Sequence, residues 1–227
     1  MRFEDIKGRE HVKRAYEVAC VQETPLFLWV AGLAQGADAI QMRNAMPHTM
    51  LYIERMCPCG NYGSTEEPCI CTPLQIVQYM YEVWSSYSHL DLHQSLHIDV
   101  GGVSYEKLTS TRPGETLEQV EARVKAAQPF LAHHLDLDES GKSLMRTAYR
   151  QLGMGQADYD GTLTIAHSIA ALSHETKSLS ATHLAEALQY RLRTRTPALS
   201  TGNDDLRAIQ TELRDIKNLL SQHTTKS

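Results

Sequence analysis

The chain has 227 residues, a formal net charge of −5 and 42% hydrophobic residues, which is enough to bury the core of one large or two small domains. The acidic balance excludes a globally basic nucleic-acid surface, and no apolar run approaches the roughly 18 residues of a membrane span. Met1-Arg2-Phe3-Glu4-Asp5 runs straight into a folded pattern without a charged and apolar leader, so a cytoplasmic protein with reduced thiols and no membrane partner is expected.

Phe3 to Gly8 reads as a lead-in loop whose Phe3 and Ile6 can tuck under the next segment. In that segment, Glu10 to Ala19 places Val12, Ala15, Tyr16 and Ala19 at helical spacing. Pro25 to Ala31 is a continuous apolar run rich in strand formers, which predicts a buried strand. Gly32 to Ile40 then reads as a small-residue loop, followed by a helix-compatible stretch to Ala45.

Strand, loop and helix is the layout of the phosphate-binding pattern G-x-x-x-x-G-K-[ST], whose backbone N–H groups cradle phosphates. Aligned on that pattern, the key positions are Ala31, Gly36, Ala37 and Asp38. Ala37 stands where a lysine would reach the phosphates, and Asp38 where a hydroxyl would hold Mg²⁺. Gly36, Ala37 and Asp38 therefore form a degenerate cofactor-binding loop that turns an anion toward the phosphate position, and neither ATP nor Mg²⁺ is expected there.

Met50 to Ile53 is a second strand-like run. It leads into Cys57-Pro58-Cys59-Gly60-Asn61-Tyr62-Gly63, followed by Cys69-Ile70-Cys71-Thr72-Pro73. Two C-x-C pairs across a polar turn can supply the four thiolates of a tetrahedral Zn²⁺ site, although one intervening residue is tighter than the usual C-x2-4-C. Cys57, Cys59, Cys69 and Cys71 are thus candidate ligands of a closed structural zinc site. Reduced cysteines packed in a turn and a disulfide are the alternatives. His89, His93 and His97 fall at i, i+4 steps, but His97 belongs to the strand-like run Leu96 to Val100, which breaks the register of a helical metal face.

Thr72 and Pro73 form a helix start, with Leu74, Val77, Tyr81 and Trp84 as its apolar stripe. The Leu96 to Val100 strand ends in Gly101-Gly102, and Val103 to Leu108 resumes. From Pro113-Gly114 the chain becomes wholly helical. Thr116 to Gln119 is a capping box ahead of Val120 and Val124. Asp136 to Glu139 starts a second helix carrying Leu144, Ala148 and Leu152 before a stop at Gly153. A third helix covers about Tyr159 to Leu172, and a fourth follows Ser180 with Leu184, Ala187, Leu188 and Arg191.

Pro197 to Asn203 reads as a linker. Beyond it Leu206, Ile209, Leu213, Ile216 and Leu220 keep an a/d spacing for slightly more than two heptads. They make an oligomerising helix, a helix docked on its own chain or in a partner groove, or a frayed tail. The expected division is a shortened core with the cysteine knuckle over 1–112, a helical lid over 113–196, the linker over 197–203 and an amphipathic coiled-coil-like helix over 204–222.

Four segments carry a family resemblance: Phe3-Glu4-Asp5-Ile6-Lys7-Gly8-Arg9-Glu10-His11, the Cys57 to Pro73 knuckle, Leu96-His97-Ile98-Asp99-Val100, and Leu184 to Arg191. Together they resemble the magnesium-chelatase-like AAA+ ATPases of the ComM (YifB) type. The resemblance extends, with one large gap, from about residue 3 to about residue 193. It implies an α/β remnant of a P-loop AAA+ core followed by an all-α lid bundle, mostly helical overall, from a family that works in rings and is linked to handling DNA.

The departures decide the expected activity. The chain reads as beginning at the ATPase core, without the N-terminal domain that precedes it in the family. Only a few residues between Ala45 and Tyr52 replace the rest of that core, so the acidic Walker B strand end has no source. Leu92-His93 stands where the family carries Asp-Arg, and Ala157, Gly161, Thr164 and His167 stand where relatives are expected to carry arginines. Phosphoryl transfer needs a phosphate cradle, a metal, a positioned water and a charge-neutralising arginine.

The expected function is therefore a catalytically inactive interaction or scaffold subunit, not an enzyme, that pairs with another copy or an intact AAA+ subunit. A working ATP-binding ATPase in DNA processing is one alternative, and it would need a lysine where Ala37 stands. A nucleic-acid-binding zinc module using Arg191, Arg193 and Arg195 is another. A shortened product that folds poorly is a further outcome, because the strands that should cover Leu26 to Val30 are missing.

Overall fold

A computed structural model describes residues 1–64 and 67–191. The linker, the heptad residues Leu206, Ile209, Leu213, Ile216 and Leu220, and Arg193 and Arg195 lie outside the described residues.

A short 3₁₀ turn, Phe3–Asp5, precedes helix α1, Glu10–Val21, and its Phe3 and the following Ile6 are buried as the lead-in reading expects. Strand β1, Leu26–Val30, helix α2, Gly32–Ala45, and strand β2, Leu51–Arg55, follow. After the cysteine knuckle come helix α3, Pro73–Ser86, and strand β3, Leu96–Asp99. Helices α4, Tyr105–Leu108, α5, Leu117–Ala127, α6, Glu139–Gln151, α7, Gln156–Leu172, and α8, Ala181–Ala187, complete the described chain. The result is a mostly helical α/β fold around one three-stranded parallel sheet in the order β2-β1-β3. No helix among the described residues is long and apolar enough to cross a membrane.

β1 is the hub. Leu26 pairs with Leu51 on one side and Leu96 on the other, and all five of its residues are buried. Side chains alternate across a strand, so a strand covered on both faces reads as unbroken apolar sequence. Leu26, Leu28 and Val30 enter the main core with Val12 and Tyr16 of α1, Ala39 and Met42 of α2, and Ile165 and Leu184 of the helical half. Phe27 and Trp29 enter a second cluster with Met56 and Val83, ringed by Tyr52, Met80, Trp84 and Tyr87. The apolar run Leu26 to Val30 is therefore covered on both faces, with α3 lying over the second.

α3 begins as expected. Thr72 Oγ1 accepts from the Gln75 amide at 3.3 Å, and the Gln75 side chain accepts from the Thr72 amide at 2.9 Å. Its inward face is the expected one only in part: of the predicted stripe, Trp84 packs on Trp29 at 5.2 Å. The buried residues are Ile76 and Val83, while Leu74 and Tyr81 are exposed. Met80, Val83, Trp84 and Tyr87 turn toward the aromatic cluster, so the inward face shares Trp84 with the predicted row and is otherwise displaced from it by about one residue. Period alone cannot separate two overlapping rows; the aromatic face of the sheet does, because Tyr87 meets Phe27 edge-on at 5.1 Å.

In the helical half Thr116 caps α5 through Gln119. The cap of α6 is Asp138, whose Oδ1 accepts from the Gly141 amide at 2.7 Å. Asp136, the predicted start, lies outside the helix because its carbonyl accepts from the Leu179 amide at 2.9 Å in a short bridge between Leu137 and Leu179. α1 is tied to this half by ions. Buried Glu17 accepts from Arg14 and from Arg123 of α5, and Arg14 reaches Glu186 of α8 at 2.8 Å.

The second cluster holds a buried histidine. Trp29 Nε1 can only donate, and it does so to His97 Nδ1 at 3.3 Å, which puts the ring proton on Nε2 facing the Leu92 carbonyl at 3.0 Å. Burial pushes His97 down from its ordinary 6.5 to about 4. The unfolded chain takes up this proton near pH 6.5 and the native ring only near 4, so native stability is full above that window and falls as pH drops through it. Urea unfolding between pH 7 and 4 is expected to show a loss of about 3 kcal/mol from this group. His97→Phe, which keeps the stacking on Phe27, removes that component. An unchanged pH slope in the variant would assign it elsewhere.

Candidate metal centre and the degenerate phosphate loop

The knuckle hangs between two fixed points, the end of β2 and the cap of α3. Gly60 and Gly63 turn it with φ of +84° and +85°, in the left-handed region that glycine tolerates. The fold brings all four predicted cysteines together, with their sulfurs all within 4.8 Å of one another. Cys57 Sγ lies 3.4 Å from Cys59 Sγ and 3.7 Å from Cys69 Sγ, and Cys59 and Cys69 are 3.6 Å apart. These separations exceed a disulfide bond, and all five cysteines are free. They match the edge of about 3.8 Å that a tetrahedron of sulfurs has around Zn²⁺ at about 2.3 Å.

Backbone groups favour anionic sulfur here. The Tyr62 amide donates to Cys57 Sγ at 3.3 Å. Amides of Asn61 and Ile70 help pull the Cys59 thiol down to about 6, whereas burial pushes Cys69 up to about 12. Four thiolates at this spacing repel one another, and a divalent cation at their centre removes that penalty. The four cysteines can hold a metal ion such as zinc. With all four positions filled by protein, such an ion has no open position for substrate and serves structure.

The phosphate loop expected over Gly32 to Ile40 is not a loop. α2 starts at Gly32, directly after β1, so Gly36, Ala37 and Asp38 lie in its second turn. The reason is tertiary. The Gly32 amide donates to the Gly60 carbonyl of the knuckle at 2.8 Å, and the Ala31 amide donates to Gln35 Oε1 at 3.0 Å. Two N–H groups at the strand-to-helix junction, where a P-loop would begin, are thus spent on the protein itself. Gly36 also has no steric role, since a Cβ there would meet nothing within 4 Å.

Asp38 lines a cleft of about 350 Å³, but its carboxylate is paired there with a cation. Arg9 Nη2 reaches its carboxylate at 2.5 Å, and the same guanidinium donates to the Val100 carbonyl at 2.7 Å. Arg9 and Gly60 were not singled out by the sequence reading. Gly60 sits just beyond the first C-x-C, and Arg9 is buried although charged, a combination visible only in the fold. Of the histidine trio, His97 is the core residue described above and His93 pairs with Asp158 of α7 at 3.0 Å; the fold does not bring the three together as ligands.

No curated protein matches the chain. Residues 107–191, from within α4 to just past α8, match the family described as magnesium chelatase, subunit ChlI C-terminal, so the helical half of this chain is similar to the C-terminal part of that magnesium-chelatase subunit.

Proposed function

We propose that the chain is a catalytically inactive relative of the magnesium-chelatase-like AAA+ ATPases of the ComM (YifB) type, acting as an interaction or scaffold subunit whose knuckle is closed by zinc. The observation that carries this reading is the junction between β1 and α2. The first amides there bond to Gly60 and Gln35, and Asp38 is held by Arg9. A nucleotide would have to break these contacts, and would meet an alanine in place of the lysine and a carboxylate in place of the Mg²⁺-holding hydroxyl. The partner is a second copy or an intact AAA+ subunit, with the segment around Leu206 to Leu220 as the oligomerising element.

Isothermal titration with ATP and Mg²⁺ tests the inactive reading, with light scattering on the same sample. The expected result is no nucleotide heat and a defined oligomer, formed alone or with the partner ATPase. Micromolar nucleotide affinity would overturn it and favour the ATPase reading. Strong DNA binding that collapses between low and moderate salt would favour the nucleic-acid module.

A further inference from the structure

Between α1 and residues 107–115 lies a cleft of about 640 Å³, within the range of small-molecule sites. It lies on the face of α1 that carries Glu10, Lys13, Arg14 and Glu17, not at the β1–α2 junction. Lys13 lines it, yet Lys13 is only 7% exposed. Among the described residues its ammonium is 4.8 Å above the Phe3 ring and has no hydrogen-bond or ion-pair acceptor. The Lys13 stem is packed away while its ammonium opens onto the cleft, where no protein acceptor neutralises it, so it can take a charge-assisted partner from solution.

Apart from Glu10, which is exposed on the same wall of the cleft and whose field on Lys13 is the largest of the acids, the neighbouring acids are committed elsewhere. Glu4 and Asp5 are bound by Arg2, Glu115 by Arg123, and Glu17 by Arg14 and Arg123. Burial lowers the Lys13 amine below its ordinary value, and the fields of Glu10, Glu115, Glu4 and Asp5 only partly restore it. Lys107 and Arg112 add exposed positive charge at the rim.

A second feature is steric. Gly114 closes against the Glu4 carbonyl, and a Cβ on it would stand 2.4 Å from that oxygen and 3.1 Å from Lys13 Nζ. Any side chain at this position would therefore crowd the amine.

We propose that this cleft binds an oxyanion-bearing small molecule, with the Lys13 ammonium as its principal donor and Lys107 and Arg112 as flanking cations. The inference is independent of the inactive-ATPase reading, because it uses neither Asp38 nor the α2 start.

Inorganic pyrophosphate and citrate serve as probes, titrated calorimetrically into the full chain, and they distinguish a phosphate source from a carboxylate one. Saturable binding of at least one probe is expected, weakening with salt. Lys13→Met keeps the stem over Phe3, removes the charge and is expected to fold at least as well as the parent. It should lower affinity by about tenfold to a hundredfold, the range of one charge-assisted hydrogen bond. The double change Lys107→Gln, Arg112→Gln, at exposed positions, should weaken binding to a smaller degree. Equal affinity in the Lys13→Met variant and the parent would overturn the proposal by locating the anion elsewhere, and so would the absence of saturable binding for both probes.

Discussion

Purified from zinc-containing medium, the chain is expected to carry one Zn²⁺ per molecule, and the double variant Cys59→Ser, Cys69→Ser to carry none. Structural zinc contributes about 10–16 kcal/mol in small sites, comparable with the whole stability of a typical domain, about 5–15 kcal/mol. Removal should therefore do more than loosen a turn. Cys57 follows the end of β2, Cys71 precedes the Thr72 cap of α3, and the Gly60 carbonyl holds the start of α2. When the knuckle opens, α3 loses its anchor over the aromatic face of the sheet.

The chain supplies its own reporter. Its two tryptophans, Trp29 and Trp84, meet at 5.2 Å in that cluster. Chelation is expected to shift their emission to the red and lower the melting temperature by many degrees, and added Zn²⁺ should restore both. A metal-free protein with the same melting temperature and emission would mean four reduced cysteines packed in a turn and no metal site.

Gly161→Ala is expected to cost about 3 kcal/mol or more in urea unfolding, although the substitution by itself favours the helix by about 1 kcal/mol. Gly161 lies inside α7, where glycine is normally a liability. A Cβ there would stand 2.0 Å from the His93 carbonyl oxygen and 2.6 Å from its carbon. Those atoms are backbone, so the helix or the loop before β3 must move, and the His93–Asp158 pair would move with it. Gly36→Ala in α2 is the matched control. No atom lies within 4 Å of its Cβ, so it should stabilise by up to about 1 kcal/mol. If both variants behaved alike, close backbone contact between α7 and the pre-β3 loop would not be what fixes Gly161. Gly161 is also one of the positions where relatives were expected to carry arginine. No arginine side chain fits the observed contact.

Features encoded within a few residues were legible in the sequence. Four cysteines in a short turn, the unbroken apolar run Leu26 to Val30, and the Thr72–Gln75 and Thr116–Gln119 caps each carry their signal locally, because caps, turns and strand burial are set by neighbours in the chain. The helical character after Pro113 was legible for the same reason. Gly32 to Ile40 has the composition of a loop and became helix because the Gly60 carbonyl, more than twenty residues on, reaches the Gly32 amide. α3 has overlapping apolar rows of equal period, and packing against Phe27 and Trp29 selected Met80, Val83 and Trp84. Asp136 and Asp138 are equally good caps on paper, and the bridge to Leu179 chose Asp138. Lys13 reads as an ordinary surface residue of an amphipathic helix until residues 107–115 fold over it. The sequence alone determined most of the elements, though not the start of α2, and the candidate metal ligands. Tertiary structure decided which faces turn inward, which amides are spent and which cation is left buried, since those depend on partners far along the chain whose position no local pattern records.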